Sequence, residues 1–180
     1  MMDDALLEEL TKREMAARSA EHEDPVIQRA LKLLGQAINP IKVVGHGEVE
    51  NIYREAAPQR MKTKADKERL WGVAGFRRPY DTEMEDPNIY INKNHERYGN
   101  AKQKRDILAQ MQLAGTLVHE QIHNTEVGEA GEGAARRKEA DWFRSQIDKL
   151  PKWQQPKARE LLHNLDVLAA NNPRNVKRNK

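Results

Sequence analysis

The sequence predicts an α+β domain in which a small three-stranded mixed sheet packs against several helices. Three short runs at 41–44, 70–76 and 88–92 are rich in β-branched or aromatic residues. Longer segments around them repeat apolar residues at helical spacing. The chain has no cysteine, which excludes disulfide scaffolds, cysteine-ligated zinc, iron–sulfur clusters and a cysteine nucleophile. Any metal site must therefore use His, Asp or Glu.

Length and charge narrow the functional classes further. The 180 residues suit one domain with tails, and 33% of them are charged. Because 31 Lys and Arg face 28 Asp and Glu, a nucleic-acid partner is disfavoured. No apolar run is long enough for a membrane span, and the acidic N-terminus lacks the layout of a secretory signal. We therefore expect a cytoplasmic protein.

Three segments are expected along the chain. Residues 1–24 form an acidic, helix-prone tail, residues 25–150 the main domain, and residues 151–180 a last helix and a basic tail. The main domain opens with a helix that Asp24 caps and Pro25 begins, and Gly35 ends it. We expect the end of the basic tail to be disordered.

The elements after the first strand are predicted from the spacing of apolar residues and from the positions of glycine and proline. Residues 48–69 suggest a short helix and a loop, and 77–87 a polar connection between strands. A long amphipathic helix is predicted over about 102–124, followed by a glycine-rich loop (GEAGEG, 128–133). Two further helices are expected over about 134–150 and 155–170, with Pro151 between them.

The segment His119-Glu120-Gln121-Ile122-His123 reads HExxH within the long helix. Residues four apart lie on one helical face, so both imidazoles can reach one metal ion. Glu120 lies about a quarter turn further round, where it can act as general base on a metal-activated water. Zn²⁺ accepts nitrogen and oxygen ligands and lowers the pKa of water, which indicates a metallopeptidase. The alternative is a structural or exposed histidine pair.

Four other side chains are candidates for a supporting role near the metal. His46 follows the first strand, His95 and Tyr98 precede the long helix, and His163 lies in the last helix. His46 could approach the site, and His95, Tyr98 or His163 could stabilise an oxyanion, although turn, loop or surface positions are the simpler interpretation.

HEQIH, the strand NIYIN and the helix RRKEADWF resemble small zincin-type metallopeptidases of the gluzincin kind. The likeness is to compact prokaryotic and phage-encoded enzymes related to anti-repressor and regulatory proteases, and it covers about residues 70–147. It implies a zincin-like fold, zinc-dependent peptide hydrolysis and a third ligand from a later helix. It also implies that strand 88–92 is a sheet edge with which a peptide or protein substrate pairs. A phage-encoded enzyme of this kind could also be virion-associated.

Several carboxylates can supply the third ligand, and Glu139 is our first choice. It lies sixteen residues after His123, on a helix that could fold back across the glycine-rich loop. The Glu-x-x-Ala-Asp pattern of such enzymes would place Arg137 at the ligand position, and Arg cannot bind zinc. Asp141, Glu132 and Glu129 therefore remain alternatives. Asp141 could also hold a histidine ring by its other nitrogen.

Two functions remain open from the sequence. The first is a zinc metallopeptidase in which His119, His123 and Glu139 bind Zn²⁺ and Glu120 is catalytic. The second is a catalytically silent interaction module of the same fold that binds a protein partner.

Overall fold

The computed structural model describes residues 3–10, 22–36, 38–81, 85–123 and 129–171, with side chains from 131 onward in the last range. Its helices are α1 (4–10), α2 (Pro25–Leu34), α3 (His46–Ala56), α4 (Lys64–Trp71), α5 (Glu96–Ala101), α6 (Ile107–Ile122), α7 (Glu129–Gln146) and α8 (Gln155–Ala170). Short 3₁₀ turns cover Pro58–Met61 and Ile147–Lys149. The strands are β1 (Ile41–Val44), β2 (Gly75–Phe76) and β3 (Ile89–Asn92).

The three strands form the predicted mixed sheet, with β3 in the centre. The strand order is β1-β3-β2, where β1 runs parallel and β2 antiparallel to β3. Ile41 pairs with Ile89 on one side, and Gly75 pairs with Ile91 on the other. The expectation that strand 88–92 is a sheet edge is therefore wrong, since a substrate strand would have to displace β1 or β2.

Side-chain alternation along β3 divides the core between the two faces of the sheet. Ile89 and Ile91 pack with α2 and α6 on one face. Tyr90 packs on the opposite face with Tyr53 and Phe76, in the layer of α3 and α4. All four β3 residues are buried, as expected for a central strand covered on both sides.

The start of α2 confirms the expected capping. Asp24 Oδ1 accepts a hydrogen bond from the Val26 amide at 2.8 Å. Its other oxygen accepts from the Tyr98 hydroxyl at 2.5 Å, so the cap also joins α2 to α5. Gly35 ends the helix with φ of 64°, a left-handed conformation that favours glycine.

Two predicted elements are shorter than expected. The apolar run 70–76 gives only the two-residue strand β2, because Leu70 and Trp71 complete α4. The long helix begins at Ile107 rather than near 102, because Asp106 caps it through the Ala109 amide. The preceding residues form the separate helix α5, and residues 48–69 contain more helix than expected.

The expected glycine-rich loop is instead the beginning of α7. Helix α7 already starts at Glu129, so the loop prediction is wrong for the described part of that segment. Gly131, Gly133 and Ala135 are all buried. Because glycine has no side chain and alanine only a methyl group, these buried positions permit close backbone packing, which can offset the low helix propensity of glycine.

The C-terminal helix has the predicted bounds, Gln155–Ala170. Residues 11–21 and 172–180 lie outside the described residues, so the predictions for the rest of the acidic segment and for the basic tail are untested. Within the described ranges, no helix combines the length and the apolar character that crossing a lipid bilayer requires.

Candidate metal centre

Helix α6 positions the two histidines of HExxH beside the core. His119 and His123 lie one turn apart, and their side chains are only 15% and 16% exposed. Their rings meet edge-on, with centroids 5.2 Å apart. The helix therefore presents both imidazoles together at the margin of the buried α6–α7 contact.

Glu132 on α7 joins the two histidines. Its Oε1 lies 3.3 Å from His119 Nε2, and its Oε2 lies 3.3 Å from His123 Nε2. One ligand atom from each of these three residues lies within 4.8 Å of the others, a grouping that could hold a metal ion. The structure thus assembles HExxH with a carboxylate that the sequence left as an alternative.

Glu139, the first choice for third ligand, contacts the other ring nitrogen of His119. Its Oε2 lies 3.0 Å from His119 Nδ1, on the opposite side of the ring from Glu132. A Cβ atom at Gly115 would lie 3.4 Å from Glu139 Oε1, so this glycine leaves room for the carboxylate against α6. The geometry places Glu139 where it orients a histidine ring.

Of the two remaining alternatives for the third ligand, Asp141 and Glu129, the structure describes the side chain of Asp141. Asp141 accepts a hydrogen bond from Arg144 at 2.8 Å, and its side chain is 71% exposed. This places it in a surface ion pair. The side chain of Glu129 lies outside the described residues.

Glu120 is buried beneath the edge strand β2. Its side chain lies close to Gly75, where an added Cβ would approach Glu120 Cγ to 3.4 Å and Thr116 Cγ2 to 2.8 Å. Only glycine permits this approach of strand to helix. Burial raises the pKa of Glu120, while the nearby His119 and His123 act in the opposite direction. The Glu120 side chain is therefore packed between α6 and the sheet, with only a small exposed fraction.

The ionisation of the three clustered residues is strongly coupled. Burial disfavours the charged form of His119, but hydrogen bonds to Glu132 and Glu139 outweigh it and raise its pKa to about 10. For His123, burial is outweighed by the hydrogen bond to Glu132 together with the negative charges of Glu120 and Glu132, and the pKa rises. Hydrogen bonds from both histidines lower the pKa of Glu132 well below its usual range. The two histidines therefore hold protons beside the Glu132 carboxylate, and a bound metal cation could take the place of these protons.

Arg97 extends the cluster from the far side of Glu139. Its Nη1 donates to Thr116 Oγ1 at 2.9 Å and lies 3.8 Å from Glu139 Oε1. Sequence reasoning missed both Arg97 and Gly75, because they lie far from HExxH along the chain. Only the fold brings them to the site.

The other sequence candidates are engaged elsewhere. The His46 ring stacks on Trp71 with centroids 5.2 Å apart. His95 caps α5 by accepting from the Arg97 amide, and the Tyr98 hydroxyl donates to the α2 cap. His163 is exposed on α8. These contacts favour structural or surface roles for all four.

Comparisons with protein-family models, with curated proteins and with solved structures gave no match for this chain. Its function is therefore inferred from the chemistry and geometry of the site itself.

Proposed function

We propose that this protein is a zinc metallopeptidase with a zincin-like fold. His119, His123 and Glu132 would hold the metal ion, and Glu120 would act as general base. The observation that carries this proposal is the convergence of both HExxH histidines on Glu132, next to the buried Glu120.

The three residues suit a zinc ion in their chemistry and lie close enough to share one. Two imidazoles and one carboxylate form a known catalytic donor set for zinc. In a tetrahedron with bonds of about 2.0 Å, ligand atoms lie about 3.3 Å apart. Each histidine Nε2 lies 3.3 Å from a different oxygen of Glu132, and one ligand atom from each residue lies within 4.8 Å of the others, so side-chain adjustments would bring the three atoms to tetrahedral separations.

The chain's own residues supply the proton transfer. A bound zinc ion would provide Lewis-acid polarisation of the scissile carbonyl. Glu120 would take a proton from the attacking water and return it to the leaving amine. Burial raises the pKa of Glu120, which favours the proton uptake that a general base requires. Glu139 would keep the His119 ring oriented throughout.

The proposed substrate is an extended peptide bound along β2, in place of strand 88–92. β2 pairs with β3 on one side only and is the sheet edge above Glu120. A peptide added to this edge would gain main-chain hydrogen bonds. Because Gly75 brings the edge close to α6, the scissile bond would lie near the candidate ligands.

The test begins with metal content. Gently purified wild-type protein should carry about one zinc per chain by mass spectrometry, and His123→Ala should lose it. Wild type should cleave members of a peptide pool, whereas Glu120→Gln should retain zinc without cleaving. Zinc binding with no cleavage of any peptide would instead support a silent interaction module. Absence of zinc from wild type, even after its addition, would refute the metallopeptidase.

A further inference from the structure

Arg136 contacts two other parts of the molecule at the edge of the candidate metal centre. It lies one helical turn after Glu132 on α7, and its Nε is 3.0 Å from Glu132 Oε1. Its Nη1 donates to the backbone carbonyl of Leu168 at 3.3 Å. One guanidinium therefore links the candidate third ligand to the last turn of α8.

The Leu168 carbonyl is a suitable anchor for this side chain. It lies in the last turn of α8, where carbonyls run out of amide partners within a helix and commonly accept from side chains. The C-terminal end of a helix also carries partial negative charge, which favours a nearby cation. The planar fork of arginine can donate to a carboxylate and a carbonyl together, whereas a lysine ammonium offers no such fork.

We propose that Arg136 is a positioning residue that fixes the Glu132 carboxylate for metal binding by bracing it against the C-terminal turn of α8. With Oε1 held by Arg136, Oε2 faces His123 Nε2. Without this brace, Glu132 would pay more side-chain entropy on binding a metal. The inference rests on the metal binding within the proposed function, but not on catalysis.

Arg144 provides a matched control on the same pair of helices. It also lies on α7 and reaches α8, where its Nη2 donates to Asp166 at 2.7 Å. Its other partner is Asp141, away from the histidines. Losing Arg144 removes an α7–α8 contact without changing the partners of Glu132.

The experiment is a zinc titration of the full chain against a chromophoric chelator. We expect Arg136→Gln to weaken zinc affinity about 10- to 100-fold, the range for partners of metal ligands, and Arg144→Gln to stay within about twofold of wild type. The Co²⁺-substituted Arg136→Gln protein should show shifted absorption bands, which report ligand geometry. Arg136→Lys keeps the charge but not the fork, and its affinity should fall between those of wild type and Arg136→Gln. Circular dichroism checks that each variant is folded.

The outcomes separate this inference from the proposed function. Wild-type affinity in Arg136→Gln, or an equal loss in Arg144→Gln, would overturn the positioning role while leaving the metal site intact. Full affinity in Arg136→Lys would show that charge suffices and would overturn the fork argument. If Arg136→Gln does not fold, the Arg136→Lys comparison decides. If wild type binds no zinc, both proposals fall.

Discussion

His119 shows at residue scale how two carboxylates acquire different roles. Its Nε2 faces Glu132 and its Nδ1 faces Glu139, so the ring is held from both sides. Only Glu132 also reaches His123. A carboxylate between two imidazoles suits metal ligation, and one behind a single imidazole suits orientation of that ring.

Replacing each carboxylate by its amide tests this division. We expect Glu132→Gln to lose bound zinc on purification, because a charged ligand is removed. Glu139→Gln should retain zinc with affinity about 10- to 100-fold lower, since only ring orientation suffers. Competitive zinc titration measures both. If Glu139→Gln lost more zinc affinity than Glu132→Gln, Glu139 would be the third ligand, as the sequence analysis first predicted.

A site residue could be predicted from the sequence when the pattern that identifies it lies within one helix. His119, Glu120 and His123 follow from helical spacing alone. Glu132 stayed an alternative because its position depends on whether 128–133 is loop or helix, and the sequence predicted a loop where residues from Glu129 onward form α7. Arg97 is an ordinary surface-type residue in the sequence, and only its contact with Thr116 gives it significance.

At the scale of elements, the short strand β2 is the edge of the sheet that lies next to the candidate site. Helices α2, α6 and α8 and the central strand were predictable because their apolar patterns are long or strongly alternating, whereas the separate helix α5 was not predicted. A strand was predicted over 70–76, but its restriction to the two residues of β2 was not, because two residues carry no periodicity and the glycine weakens strand propensity. Its edge position follows from pairing partners distant in sequence.

Substituting Gly75 tests the close approach of β2 to α6. In Gly75→Ala the new Cβ would clash with Thr116, so we expect a loss of about 1–3 kcal/mol in the free energy of unfolding. Peptide cleavage should fall together with stability, because the edge moves away from Glu120. Gly47→Ala is the control, since its Cβ would meet nothing within 4 Å. It should be neutral or slightly stabilising in denaturant titrations. Equal behaviour of the two variants would contradict the proposed steric role.

Across the whole molecule, two tyrosine–aspartate pairs hold separate elements together. Tyr98 bonds Asp24 across α5 and α2, and Tyr90 of β3 bonds Asp86 in the preceding connection. Burial and then the hydrogen bond to the aspartate raise each tyrosine pKa to about 12. Both pairs therefore require the neutral phenol.

These pKa values predict loss of stability in alkali. The unfolded chain releases tyrosine protons near pH 10, whereas the folded chain keeps them until about pH 12. The contribution is therefore full below pH 10 and is lost as pH rises towards 12. Unfolding free energy measured from pH 9 to 12 should fall, and it should fall less steeply in Tyr90→Phe/Tyr98→Phe. Parallel curves for wild type and variant would refute this linkage.

The sequence distances within the fold have a consequence for chain entropy. The parallel pairing of β1 with β3 joins Ile41 to Ile89, whereas His119 and Glu132 meet within the consecutive helices α6 and α7. From loop-closure scaling, the longer closure costs about 1 kcal/mol more. The candidate ligands can therefore come together before β1 joins the sheet, an order that pulsed hydrogen exchange during refolding would resolve.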